Sequence, residues 1–317
     1  MKIVYITGCL GFIGRYVTKL LLDNGYYVYG IDSCTYATDE SILSDFIHYE
    51  KFKFEKSNIL DIDRLVDCDF FINIAAETHV DNSIRDSKVF LDSNIVGVYN
   101  ILELLKVYKK EGYNVPRLIH FSTDEVYGDI TDGEHFESNT LKPSNPYSAT
   151  KAAADQLILA WSRTYDIPYN IIRPTNNYGT GQYTEKLIPK ACKFLGLGRK
   201  IPLHNHGTPI RNWLHAKDTA RAVEKILELG SKNEIYNVAG GFEQSNIMTV
   251  RKVINTYYNE DIEDYHRFID FGVERPGQDV RYALNDDKIK SLGWTPQCIF
   301  DDEIKLIVDY YKHNFMW

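Results

Sequence analysis

Asp124 and Glu125 sit side by side after the apolar run Arg117–Ser122, within Ser122-Thr-Asp-Glu-Val-Tyr-Gly128. Further along comes Tyr147-Ser-Ala-Thr-Lys151. Two carboxyl groups in different surroundings can hold different protonation states and so serve as one acid and one base. Tyr147 and Lys151 are four residues apart, which stacks them on one helix face. A cationic Lys151 beside the phenol is expected to pull its pKa down from ~10 and make Tyr147 a usable base for a hydroxyl. An acid pair plus a phenol is more proton-transfer machinery than the oxidation of an alcohol requires.

Gly8, Gly11 and Gly14, with Phe12 and Ile13 between the last two, follow the run Ile3–Thr7 and open a helical pattern. Glycines there allow a tight turn and close approach of main chain to a pyrophosphate, and the helix amino terminus faces the anion. Asp32 closes the second apolar run, at the distance expected of a carboxylate that binds the adenosine ribose. It would accept from a 2′-hydroxyl and repel a 2′-phosphate, which favours NAD over NADP.

The elements that must position these groups alternate. Strand-like runs fall at Ile3–Thr7, Tyr27–Asp32, Lys51–Glu55, Phe70–Ala75, Arg117–Ser122 and Tyr169–Arg173. Helix-like runs fall at Phe12–Asn24, Ser87–Tyr108 and Ser148–Tyr165. Such alternation predicts an α/β fold of Rossmann type, a doubly wound parallel sheet with ligands at the carboxyl ends of its strands. Beyond residue 174 glycines and prolines break the pattern into short elements, with helices expected at His215–Gly230, Met248–Tyr258 and Asp301–His313. The expected division is residues 1–174 for the dinucleotide-binding domain with the catalytic groups. Residues 175–317 would then be a smaller, mixed, mainly substrate-binding lobe, with segments able to cross back to the sheet.

The chain has 317 residues, 44% of them apolar and 25% charged, as in ordinary globular proteins. Its net charge of −8 and lack of any long basic run argue against a nucleic-acid partner. No apolar run reaches the ~20 residues of a membrane helix. Cys9, Cys34, Cys68, Cys192 and Cys298 are odd in number and form no CxxC pair. They read as reduced thiols, with no metal site expected. The chain starts directly in a strand without a leader, so a cytoplasmic protein is expected.

Together these strings resemble the extended short-chain dehydrogenase/reductase superfamily and, within it, the nucleotide-sugar 4,6-dehydratases. The resemblance spans the whole chain through Thr7-Gly-x-x-Gly-Phe-Ile-Gly14, Ala75-Ala-Glu-Thr-His-Val-Asp-Asn-Ser83, Ser122–Gly128, Tyr147-x-x-x-Lys151, Arg173-Pro-Thr-Asn-Asn-Tyr-Gly179, Glu185-Lys-Leu-Ile-Pro189, Ile210-Arg-Asn-Trp-Leu-His215 and Arg275-Pro-Gly. It implies that Tyr147 takes the sugar O4 proton beside Thr123 while NAD oxidises C4. Glu125 would then remove the C5 proton, Asp124 would protonate the departing C6 hydroxyl, and C6 would be reduced by the same NAD. Asn58, Ile59, Ala75 and Ala76 would complete the cofactor site. Ser83, Asn177, Lys186, Leu187, Pro202, His204, Arg211, Asn246, Arg275 and Gln278 would bind the nucleotide sugar, with the arginines on its diphosphate.

The related 4-epimerases and decarboxylases share the Tyr and Lys but not the acid pair, and they stand as the alternative, with a non-catalytic NAD-binding protein more remote. Asn58 replaces the family's usual Asp near the adenine, with an amide oxygen still able to accept. Arg15 replaces a small residue, placed to crowd or pair with a phosphate. His204 stands for a usual Tyr and Gln278 for a usual His. These leave open thymine or uracil, and glucose or N-acetylglucosamine. The product class, a 4-keto-6-deoxy sugar nucleotide, feeds rhamnose and other deoxysugars. The helices Ser87–Tyr108 and Ser148–Tyr165 are apolar on more than one face, and the resemblance implies that they pair with their copies in a four-helix homodimer interface.

Overall fold

The computed structural model describes residues 2–314. Twelve strands occur among them: β1 (Ile3–Thr7), β2 (Tyr27–Asp32), β3 (Phe52–Lys56), β4 (Phe70–Asn73), β5 (Arg117–Phe121), β6 (Tyr169–Pro174), β7 (Asn176–Tyr178), β8 (Ile201–Pro202), β9 (Ile210–His215), β10 (Glu234–Val238), β11 (Glu243–Ser245) and β12 (Ile269–Asp270). Seven of them form one parallel sheet in the order β10-β6-β5-β4-β1-β2-β3. β4, β5 and β6 are buried along their whole length. Continuous apolar runs such as Phe70-Phe-Ile72 are what a sheet covered on both faces demands.

The order reverses between β1 and β4, and a crevice opens beyond their carboxyl ends, as the topology of such sheets requires. The helices Phe12–Asp23 and Ala216–Leu229 cover one face through a core that includes Val17, Leu21, Val223 and Ile226. Gly97–Glu111 and Pro146–Tyr165 cover the other through Ile101, Leu105, Ala154 and Ile158. The seventh strand, β10, and the Ala216–Leu229 helix both come from beyond residue 174.

A smaller lobe carries the mixed sheet β11-β9-β7 and the pair β12-β8. Its own core is built where Leu187–Gly196, Asn246–Tyr258 and Phe300–His313 meet around Ile188, Val253 and Ile307. The Leu187–Gly196 helix lies where the sequence showed only loosening periodicity.

The run expected as one helix over Ser87–Tyr108 is helical from Lys88 to Glu111 but contains a π-turn at Asp92–Val96. The wider turn directs Asn94 inward, as such bulges do near functional sites. Its amide takes the Glu77 N–H on Oδ1 at 3.0 Å and donates to the Glu77 carbonyl and Thr150 Oγ1 at 3.0 Å. Asn94 therefore ties the loop after β4 to the Pro146–Tyr165 helix. That helix begins two residues before the expected Ser148. Asn145 caps it, accepting from Ser148 N–H at 2.9 Å, and Pro146 fills its first turn, where a missing N–H is no loss.

Candidate active site

The carboxyl ends of β1, β2, β4 and β5 line a cavity of about 520 Å³, within the usual range for a small-molecule site. Gly8, Gly11, Phe12, Ile13, Gly14, Asp32, Asn58, Ile59, Ala75, Ala76, Thr123, Asp124, Glu125 and Tyr147 all lie on its wall. Gly8 adopts φ +70°, and a Cβ on it would fall 2.8 Å from Ala75 N. A Cβ on Gly14 would fall 1.8 Å from the Gly8 carbonyl oxygen. Both positions therefore need glycine, and the main chain is left bare where a pyrophosphate would approach. Asp32 accepts the N–H groups of Leu10 at 3.1 Å and Cys34 at 2.8 Å, which fixes its carboxylate at the cavity wall. These features fit a dinucleotide.

Two expectations about this site need correction. Arg15 does not line the cavity: its guanidinium donates to the Thr180 carbonyl at 2.8 Å and lies 4.0 Å from Asp39. It can do so because Gly181 has no side chain; a Cβ there would overlap the guanidinium. Nor does Lys151 depress the pKa of Tyr147. Burial pushes the phenol well above its ordinary value, the nearby Glu125 charge pushes it further, and a hydrogen bond with Thr123 draws part of the rise back. Lys151, also buried, is itself lowered to about 8, and its Nζ lies 3.4 Å from His120 Nε2.

Asp124 and Glu125 occupy a short helical turn after β5, capped by Thr123 Oγ1, which accepts the Glu125 N–H at 3.3 Å. Asp124 is 2% exposed. Thr123 donates to its Oδ1 at 3.1 Å, and its Oδ2 is buried with no partner. Desolvation, then the neighbouring Glu125 charge, raises its pKa to about 8, so Asp124 holds a proton at neutral pH. Glu125 is also raised by burial, but Arg211 and a hydrogen bond from Asn145 Nδ2 at 3.2 Å draw it back. Environment thus separates the adjacent carboxyls into a protonated and an ionisable one.

A second cavity of about 160 Å³ adjoins the first, and Glu125, Asn177 and Lys186 lie on both walls. Leu187, Pro202, His204, Arg211, Asn246, Arg275 and Gln278 also line it. Two sequence-selected residues lie on neither wall. Ser83 is buried, its hydroxyl donating to the Val80 carbonyl and accepting the Tyr147 N–H at 3.2 Å. Lys151 sits behind Tyr147 on the sheet side. Asn58 does line the cofactor cavity, but its Oδ1 already accepts the Leu60 N–H at 3.0 Å.

The structure adds residues that sequence reasoning passed over. Asn145 joins the helix cap to Glu125, and an Asn-Pro step before a helical run was the available signal. Asp81, within the Ala75–Ser83 string, binds Arg275 and approaches His204 Nε2 at 3.6 Å. Tyr282 and Asp279 back Glu125 and Arg211, the Arg211 guanidinium lying 4.5 Å over the Tyr282 ring. No local pattern marks them. Among the described residues, no cluster of His, Cys, Asp and Glu is arranged to hold a metal, and no helix is long and apolar enough to cross a membrane.

Comparisons with known proteins agree with this geometry. Residues 5–307 match the family model for GDP-mannose 4,6 dehydratase. The low-salt glycan biosynthesis protein Agl12 of Haloferax volcanii is 37% identical over 97% of this chain and 98% of its own length. The dTDP-glucose 4,6-dehydratase of Haemophilus influenzae is 36% identical over 99% of both chains. Among solved structures, DesIV, a dTDP-glucose 4,6-dehydratase from Streptomyces venezuelae with NAD bound, superposes with a TM-score of 0.90 at 34% identity, covering 98% of this chain and 97% of its own. A match along nearly the whole length, on the fold that carries these cavities, makes the chain a member of the GDP-mannose 4,6-dehydratase family.

Proposed function

We propose that the protein is a nucleoside-diphosphate-hexose 4,6-dehydratase that takes dTDP-glucose or a UDP-hexose (UDP-glucose or UDP-N-acetylglucosamine) to the 4-keto-6-deoxy sugar. The observation that carries the reading is the Asp124–Glu125 pair facing Tyr147 across one cavity, with Asp124 holding a proton. Alcohol oxidation alone uses no such pair, whereas removal of water across C5 and C6 needs both an acid and a base.

In this reading Gly8–Gly14 and Asp32 would hold NAD, which would supply oxidation at C4 and reduction at C6. Tyr147, after giving up its own phenolic proton to solvent, accepts the O4 proton, with Thr123 hydrogen-bonded to the same oxygen. The 4-keto group acidifies C5–H, and Glu125 takes that proton and returns it to C5 when C6 is reduced. Asp124 gives its proton to the C6 hydroxyl, which leaves as water. Asn145 holds Glu125 in line through Oε2. Arg211 and Arg275, with Lys186 nearby, face the diphosphate, where planar guanidinium groups suit paired phosphate oxygens.

A homodimer is part of the reading. Leu91, Val96 and Tyr99 are each more than 40% exposed on the Lys88–Glu111 segment, so burial inside one subunit does not account for its apolar character. Trp161 of the neighbouring helix packs edge-on against Tyr99, extending the patch. We assign the protein to the cytoplasm, in keeping with its five free thiols.

The test is incubation of purified protein, without added NAD, with dTDP-glucose, UDP-glucose and UDP-N-acetylglucosamine in turn. Mass spectrometry should show loss of one water from one of them. Isomerisation without a mass change would replace the dehydratase by an epimerase.

A further inference from the structure

His120 is a buried titratable residue with no part in the chemistry above. It lies in β5, is 1% exposed, and points its two ring nitrogens at different partners. Nδ1 is 3.1 Å from Asn73 Nδ2 and Nε2 is 3.4 Å from Lys151 Nζ. Asn73 Oδ1 in turn accepts from Thr7 Oγ1 at 2.6 Å, and Thr7 Oγ1 accepts the Ala75 N–H at 3.2 Å. Four side chains thus cross β5, β4 and β1 in one line, from the amine behind Tyr147 to the main chain of the cofactor cavity.

The donors and acceptors fix a direction. Thr7 receives the Ala75 N–H and gives its own proton to Asn73 Oδ1, so Asn73 presents its NH2 to His120. Nδ1 then accepts, and the proton of the neutral ring resides on Nε2, aimed at Lys151. Burial holds the imidazole well below its ordinary pKa, and the Lys151 charge opposes its protonation further. The other groups facing Lys151 are Tyr147 one turn back and Asp155 one turn on. Asp155 Oδ2 is shared by Arg173 at 2.9 Å and Ser122 at 3.0 Å. Asp155 Oδ1 has no hydrogen-bond partner, and its charge favours the ammonium, so His120 is the neutral group that opposes it on the other side of the amine.

We propose that His120 is a positioning residue for Lys151, holding the amine through Nε2 and tying it through Asn73 and Thr7 to the main chain of the cofactor loop at Ala75. Since Nε2–H cannot accept from an ammonium, the contact weakens proton binding by the amine, which with a pKa of about 8 still carries its proton at neutral pH. The inference rests on the dehydratase reading only for its kinetic consequence.

The test compares His120→Gln, whose amide extends toward Lys151, with His120→Asn, which is too short to reach it but remains polar. In holoenzyme labelled with [15N]lysine, the Lys151 signal, identified by its loss in Lys151→Met, is titrated by NMR with no substrate present. We expect a midpoint near 8 in the wild type, retained in His120→Gln and moved upward in His120→Asn. In single turnover, His120→Asn should form bound NADH about tenfold more slowly, with KM within about twofold of the wild type, a loss of the size expected for misplaced proton-transfer groups. Equal titration and equal rates in the two variants, with only a change in melting temperature, would reduce His120 to core packing. Should the wild type dehydrate none of the sugars, the reading of function fails, and the lysine titration still decides the role of His120.

Discussion

Arg275 meets Asp81 through two parallel contacts, Nε to Oδ1 at 2.5 Å and Nη2 to Oδ2 at 2.9 Å. The two residues are 194 apart in the chain, and the pair joins the short helix Val80–Arg85, which follows β4, to the smaller lobe. Burial alone would raise the Asp81 pKa, but hydrogen bonds from His204 and Arg275 hold it well below the usual carboxylate range. A bidentate pair fixes guanidinium orientation as well as position. Arg275 Nη1 is left to Gln278 Oε1 at 3.1 Å, on the wall of the substrate-side cavity.

Asp81→Asn should therefore act on binding and not on chemistry. The expected change is a rise in KM for the nucleotide sugar of about tenfold, equivalent to ~1.4 kcal/mol, with kcat within about threefold. Steady-state kinetics checks it. A fall in kcat at constant KM would show that Asp81 serves the reacting centre.

Glu125→Gln keeps the hydrogen bond from Asn145 but removes the base for C5–H. Turnover should fall by about 10²–10⁴-fold, the usual contribution of a placed general base, while C4 oxidation survives. Absorbance of bound NADH should accumulate on mixing with substrate. Near-normal turnover would remove Glu125 from the C5 step.

The Asp124 carboxyl links activity and stability to pH. Its folded pKa, about 8, lies above the unfolded value. The folded state therefore binds the extra proton, and this contribution is complete below about pH 4 and is lost as pH rises toward 8. Asp124→Asn cannot ionise, so its melting temperature relative to the wild type should climb between pH 5 and about 8. A difference independent of pH would mean that Asp124 is ionised throughout. The same group should set an alkaline limb in the wild-type rate profile.

Gly14→Ala tests the cofactor cradle. The added methyl meets the Gly8 carbonyl, main chain that cannot swing aside as a side chain would. The substitution should cost about 1–3 kcal/mol as overpacking does, and should lower the fraction of NAD retained on purification. Calorimetry and cofactor release on denaturation measure the two effects separately.

At the proposed interface, Val96→Asp puts a charge on an exposed apolar position. Light scattering should report a monomer for the variant and a dimer for the wild type. A variant that stays dimeric would place the interface elsewhere.

The main features of the site are legible in the chain because they are local. Gly8–Gly14 with Asp32, Asp124-Glu125, and Tyr147 with Lys151 each announce their chemistry by residue type and short spacing. The parallel sheet follows from apolar runs alternating with helical periodicity, since a strand buried on both faces has to be apolar throughout. The tertiary structure decided what depends on neighbours brought from far away. From spacing alone Lys151 is the group expected to activate Tyr147; packing instead gives it His120 and sets the Glu125 charge near a buried phenol. Arg15 is expected from its place after Gly14 to meet a phosphate, and the bare main chain of Gly181 lets it reach Thr180 instead. Asp81 carried no recognisable role until the fold brought Arg275 to it. A pKa and a hydrogen-bond partner are properties of a desolvated neighbourhood, and sequence spacing reaches only about one turn of that neighbourhood.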